Sequence, residues 1–341
     1  MYDINHVSFP GLGIHDLPVS RIAFRIRIGG VDLPIYFYGL IITAGMILCL
    51  LLAMRSAKHY ELSKDDIVDV FLICVPVSFL FARLYYVIFS WENYRGDWKS
   101  IFRIRDGGLA FYGGVIGAIL AVFLIARVKK LHASHILDFL APYLALGQAI
   151  GRWGNFFNQE AFGSNTLLPW GMISESTRDY LAKLGAPYAA NTPVHPTFLY
   201  EFLGNLIIFY LLIRIRKEGR FRYEVTAWYF VLYGILRYFV EGLRTDPLMS
   251  RYAGIRVSQL LSLLLMTAGL LFLIFAYTKR RKDSDFLADP FKRPHLGGDV
   301  QELTESADIS PVTAEPEVSG MPSEPSAPDT EASESERSEE E

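Results

Sequence analysis

Apolar residues gather along this chain into seven stretches, at about 36–54, 67–89, 109–128, 135–153, 198–216, 225–243 and 257–278. Each is close to the roughly 17–25 mostly apolar residues that a membrane-crossing helix needs. Two of them are interrupted, the second by Pro76 and Arg83 and the fourth by the GRWG run at 151–154. In lipid such interruptions survive where neighbouring helices satisfy the freed polar groups, so both positions are expected to face the interior of a bundle. The polar run at 156–197 is the longest connection, and it carries Pro169, Pro187, Pro193 and Pro196 among aromatics able to pack as a small cap. A connection of that length is functional or disordered. The pattern predicts an all-α polytopic membrane protein, with a seven-helix domain over 36–282 behind a mixed segment at 1–35.

Composition supports lipid as the solvent, since 51% of the 341 residues are hydrophobic. The net charge of −3 averages two opposite parts: residues 1–282 hold 30 Lys+Arg against 19 Asp+Glu, whereas 283–341 hold 3 against 17. That acidic, Ser/Pro-rich end buries too little apolar surface to fold and is expected to be a disordered spacer on the cytoplasmic side. Basic residues cluster in alternate connections: Arg55, Lys58 and Lys64; Arg127, Lys129 and Lys130; Arg214 to Arg222; and Lys279 to Lys282. By the positive-inside rule those connections are cytoplasmic, which puts the N-terminus, the 156–197 cap and the 90–107 connection outside and the C-terminus inside. The 90–107 connection carries four basic residues of its own, but Glu92, Asp97 and Asp106 accompany them. Cys49 and Cys74 lie within apolar runs and read as small buried hydrophobes. No cleaved leader is expected from residues 1–35, which lack the charged-then-apolar pattern of a signal peptide.

Ionisable residues inside spans are costly and mark functional pockets by default. Tyr233, Arg237, Glu241 and Arg244 recur at helical spacing in the sixth span and form one polar stripe. The same spacing also suits a plain interhelical ladder with Arg237 and Glu241 paired. At the end of the fourth span Arg152 and Asn155 share a face between Gly151 and Gly154, and Asn158 and Glu160 follow. An arginine so placed needs a partner, and an anion would satisfy it. In the inferred orientation Tyr38, Arg83, Tyr112, Arg152, Asn155, His195, Glu201 and the 233–244 stripe all lie toward the outer face. Six helices thus converge on one outer-leaflet pocket, whose arginines suit a phosphate-bearing ligand because guanidinium presents a planar donor fork.

Residues 151–163 read GRWGNFFNQEAFG, which resembles the signature of the prolipoprotein diacylglyceryl transferases throughout. Tyr38-Gly39-Leu40, ARLYY at 82–86, DGGLAF at 106–111, His195-Pro196 with Tyr200-Glu201, and 233–244 resemble further segments of that family in the same order. The resemblance covers about residues 20–280. It implies transfer of diacylglyceryl from phosphatidylglycerol to the lipobox cysteine of a prolipoprotein signal peptide, in a bacterial cytoplasmic membrane, forming a thioether and releasing glycerol phosphate. It also implies Arg152 and Arg237 as the essential arginines, with Tyr38, Asn155, Glu160, Tyr233, Glu241 and Arg244 around the head group; Arg83, Gly163 and His195, which lie in its matched segments, are expected to bind substrate with them. Many members carry His before the Gly-Gly that follows Phe111, where this chain has Tyr112, so Glu160 or Tyr112 is left to take the thiol proton.

Other classes fit less well. An arginine-lined pocket also suits a transporter of an anionic solute, but no repeat of two similar halves is visible. An intramembrane protease needs a Ser/His pair or paired aspartates at depth, and a chromophore receptor needs a buried lysine in its last span. The seven histidines form no spaced ligand set with the acids, and no HExxH or glycine-rich phosphate loop occurs. No metal, cofactor or nucleic-acid partner is expected; the partners implied are the two substrates and membrane lipid.

Overall fold

The structure, a computed structural model, describes residues 4–103, 107–246 and 256–282, with the side chains of 280–282 left aside. The acidic stretch at 283–341 lies outside the described residues. Helices α1 (Phe37–Ala57), α2 (Lys64–Phe89), α3 (Phe111–Val128), α4 (Ala133–Asn158), α6 (Thr197–Glu218), α7 (Glu224–Leu243) and α8 (Val257–Lys282) match the seven apolar stretches, and a short helix α5 (Glu175–Leu184) lies in the long connection. Among the described residues five of them, α1, α2, α3, α6 and α8, are long and apolar enough to cross a membrane. Their outward faces carry Leu51, Leu80, Phe123, Ile207, Leu264 and Phe275, all exposed. A surface of that composition has lipid as its solvent, and the chain is a multi-pass membrane protein.

α4 and α7 have the length but not the apolarity, because they carry the polar residues that the other helices enclose. α4 is the hub: it packs against α1, α3, α6 and α7 and buries residues on all sides, from Ser134 and Asp138 to Gly154 and Phe156. Local chemistry sets several boundaries. Ser63 and Asp66 close a capping box at the start of α2. Asp138 of α4 accepts from Thr226 N (2.8 Å) and Oγ1 (2.6 Å), so one helix supplies the cap for the first turn of α7.

The end of the bundle that carries the basic residues is tied by contacts between sequence-distant connections. Lys129 bridges Asp66 at 2.9 Å and also pairs with Asp69, which raises its affinity for its proton. Arg216 is buried against the rings of Tyr60, Phe139 and Tyr143, at 4.5, 4.9 and 5.0 Å.

The all-α expectation needs correction at the N-terminus. Residues 4–36 form four strands, β1 (Ile4–Phe9), β2 (Ile14–Ser20), β3 (Ile22–Ile28) and β4 (Val31–Tyr36). β1 pairs antiparallel with β2 and with β5 (Ile173–Ser174) from the long connection, giving the order β2-β1-β5. β3 and β4 form a separate hairpin turned by Gly29-Gly30, both at positive φ as the tight turn demands. Its register places Phe24, Ile26 and Ile28 beside Ile35, Leu33 and Val31 on one face, with Arg25 paired to Asp32 (2.6 Å) on the other. The segments 1–35 and 156–197, distant along the chain, share one core: Val7 and Val19 pack with Phe156, Phe162, Met172, Leu181, Val194 and Phe198.

Candidate active site

Three helices bring their charged residues to one point. Glu201, in the second turn of α6, is 2% exposed and lies between two guanidinium groups. Its Oε1 accepts from Arg237 of α7 at 2.8 Å, and its Oε2 lies 2.8 Å from the Arg152 guanidinium of α4, an ion pair without hydrogen-bond alignment. Arg237 also donates to Glu241, one turn further along α7, at 2.6 Å. Arg152, Arg237, Glu201 and Glu241 therefore form a charge-balanced group, in which each arginine is held before any substrate arrives. Burial requires this, because an unpaired cation in low dielectric is far costlier than a paired one. The anion expected beside Arg152 is, in this state, the carboxylate of Glu201.

The group continues along the signature segment. Arg152 donates to Asn155 Oδ1 at 3.3 Å. Asn155 and Asn158 both donate through their amides to Glu160 Oε1, at 3.0 and 3.2 Å. The second carboxylate oxygen of Glu160, an exposed residue, takes no hydrogen bond from the described residues. Tyr233 lies beside Arg152 and stacks on Tyr229, with ring centroids 5.5 Å apart. Tyr38, in the first turn of α1, lies against Gly154: a Cβ at that glycine would sit 2.6 Å from the tyrosine ring, so only glycine fits there. An open cavity of about 750 Å³ borders this region, lined by Arg21, Pro34, Ile35, Tyr36, Tyr38, Gly39, Leu40, Thr43, Asn158 and Glu160.

The turn after α4 is held by the backbone. Gly163 N donates to His195 O (2.9 Å), His195 N to Ser164 O (3.0 Å) and Ser164 N to Leu243 O (2.7 Å). Gly163 pairs across to Arg244, and a Cβ on it would come within 2.7 Å of the His195 side chain. The signature loop is thus laced to the ends of both α7 and the long connection.

The structure brings together Tyr38, Arg152, Asn155, Glu160, Tyr233, Arg237 and Glu241. It does not bring in Arg83, whose guanidinium is spent on the backbone of the 99–108 connection. Nε donates to Ile101 O (2.8 Å), NH1 to Gly107 O (2.7 Å) and Gly108 O (2.9 Å), and NH2 to Ser100 O (2.8 Å) and Arg103 O (3.4 Å). With all five N–H groups engaged, Arg83 is a loop clamp and has no donor left for a phosphate. Tyr112 makes a ring contact with Phe111 (5.9 Å) and no hydrogen bond among the described residues. His195 is engaged with Tyr200 through Nδ1 at 3.1 Å, and burial lowers its affinity for a proton. Arg244 forms a bidentate pair with Asp246, at 2.9 and 2.7 Å. Burial works against its charge, but that carboxylate outweighs it and holds the guanidinium protonated more firmly than usual.

Glu201, which the sequence already places toward the outer face without giving it a role, is the carboxylate that both arginines share. Arg256 is a residue that the sequence pattern does not single out: just before α8 it donates to the carbonyl of Glu241.

Comparison with known proteins gives a consistent result. A family model described as prolipoprotein diacylglyceryl transferase matches residues 22–275. Relatives named phosphatidylglycerol–prolipoprotein diacylglyceryl transferase include one from Finegoldia magna, 43% identical over 78% of this chain and 99% of its own length. Another, from Oceanobacillus iheyensis, is 41% identical over 76% of this chain and 88% of its own length. A third, from Clostridioides difficile, is 37% identical over 78% of this chain and 98% of its own length.

Proposed function

This chain belongs to the prolipoprotein diacylglyceryl transferase family, and we propose that Arg152 and Arg237, held on either side of Glu201, carry its chemistry. The enzyme transfers the diacylglyceryl group of phosphatidylglycerol to the thiol of the prolipoprotein lipobox cysteine. The sulfur forms a bond to the glyceryl carbon that bore the phosphate, and the carbon–oxygen bond to that phosphate breaks. The electron pair stays on the departing oxygen of glycerol phosphate, and the thiol proton passes to a base. Negative charge therefore grows on the phosphate as the bond breaks, and preorganised cations at that point are the largest expected contribution to the rate.

The observation that carries this reading is the single carboxylate shared by Arg152 and Arg237. Two guanidiniums from different helices within reach of one carboxylate are also within reach of one phosphate. Arg237 spends two N–H groups on Glu201 and Glu241, leaving donors for an incoming oxygen. Glu241 orients Arg237, and Asn155 orients Arg152, with Tyr233 beside it. Glu160 takes the thiol proton: it is exposed, keeps one oxygen free of hydrogen bonds from the described residues, and lines the cavity beside Tyr38. Positive charge nearby favours the thiolate, the reactive form of cysteine. Gly163, His195 and Arg244 shape the loop around the head group, and Arg83 orders the connection leading to α3.

All seven long helices cross a bacterial cytoplasmic membrane in this proposal, α4 and α7 shielded by the other five. The basic end faces the cytoplasm, and the N-terminal strands and the 159–196 connection form a cap outside. Residues 283–341 remain on the cytoplasmic side. The relatives reported above are transferases by name, and none supports the alternative of an anion transporter.

The test is thioether formation on a lipobox peptide in liposomes containing phosphatidylglycerol. Arg152→Lys and Arg237→Lys keep the charge but lose the planar fork, and each should lower transfer by at least about a hundredfold, the loss expected for one transition-state donor. Transfer retained in both variants would overturn the assignment.

A further inference from the structure

The last carbonyls of a helix have no partner within it and form the negative end of its dipole. At the end of α4 the Asn158 carbonyl accepts from both Nε (3.2 Å) and NH2 (2.8 Å) of Arg21. Arg21 comes from far up the chain: it is the single residue between β2 and β3, and its own carbonyl accepts from Phe37 N (2.9 Å) at the start of α1. One side chain and its backbone thereby tie the N-terminal strands, the first turn of α1 and the exit of α4.

That exit is unusual. Gln159 and Ala161, on either side of Glu160, have φ of 52° and 58°, left-handed conformations that residues with a Cβ seldom adopt. Such a backbone persists when the surroundings over-determine it. Here the Asn155 and Asn158 amides hold the Glu160 carboxylate from one side, and Arg21 fixes the carbonyl that precedes the first left-handed residue. Arg21 and Glu160 line the same cavity with Tyr38.

We propose that Arg21 is a positioning residue for the transfer reaction: its fork on the Asn158 carbonyl sets the left-handed exit of α4 and so aims Glu160 at the thiol. The inference rests on Glu160 being the thiol's base. Lysine offers a point charge in place of the fork and substitutes for Arg21 only in part.

A double-mutant cycle tests this in phosphatidylglycerol liposomes with a lipobox peptide. Arg21→Met should lower kcat at least about tenfold with KM for phosphatidylglycerol changed by less than about twofold, as for a misplaced catalytic group. Arg21→Lys should recover part of the loss. In a Glu160→Gln background Arg21→Met should have little further effect, because residues acting as a unit are not additive. Arg21→Met at wild-type kcat, while Glu160→Gln is impaired, would overturn the role of Arg21 alone. Additive losses would overturn it too, by showing that Arg21 acts elsewhere. Wild-type transfer by Glu160→Gln would instead remove Glu160 as the base. Thermal melts of each variant in detergent keep a folding defect apart from these outcomes.

Discussion

Glu201→Gln is the sharpest perturbation that the geometry allows. It keeps the volume of a side chain only 2% exposed and removes one negative charge from between two arginines. A glutamine presents one acceptor and one donor where the carboxylate presented two acceptors. One guanidinium therefore keeps a partner at 2.8 Å and the other faces an N–H group. Breaking a buried ion pair costs about 3–5 kcal/mol, and the lower end applies because Arg237 retains Glu241. On the reaction, loss of one aligned donor at a developing anion costs about 10²–10³ in kcat. The donors that Arg237 keeps for an incoming phosphate are not those spent on Glu201 and Glu241, so neutralising Glu201 leaves lipid binding intact. The expected signature is a kcat about a hundredfold lower with no rise in KM for phosphatidylglycerol, a loss of transition-state stabilisation alone. Initial rates at varied mole fraction of phosphatidylglycerol in mixed micelles separate the two constants. Wild-type kcat, or a raised KM at unchanged kcat, would refute the view that Glu201 organises the arginines for the leaving phosphate.

Tyr112→Phe should leave transfer within about threefold of wild type, because its hydroxyl makes no hydrogen bond to the described residues and Glu160 carries the proton; a hundredfold loss in the same assay would move the base to the phenol. His195 gives a pH dependence of stability. Burial holds its pKa below the unfolded value near 6.5, so the unfolded chain binds the extra proton first and stability falls as pH drops below about 6.5. Melting temperatures in detergent between pH 5 and 7.5 should decline toward acid in wild type and less steeply in His195→Gln; identical slopes would show that His195 contributes nothing to the acid limb.

Much of this molecule is legible along the chain, because hydropathy and helical spacing are local quantities. The apolar stretches mark the long helices to within a few residues, and the 3- and 4-residue spacings set Arg152 beside Asn155 and Arg237 beside Glu241. The strands at the N-terminus were legible too: Ile22 to Ile28 alternates apolar with small or charged residues up to a Gly-Gly turn, the period-2 pattern of a hairpin. Hydropathy windows overlook it because they average over that alternation.

Partners between elements are a different matter. Arg83 and Arg152 are each an arginine within a long helix of the bundle, and nothing local separates their roles. One is consumed by five carbonyls of the 99–108 connection, whereas the other meets Glu201 from a helix begun 39 residues after α4 ends. Which residue meets which depends on the rotation and depth of each helix against its neighbours, quantities set by packing of the whole bundle and carried by no single segment. The same holds for the tie between Arg21 and the end of α4, where 137 residues separate donor from acceptor.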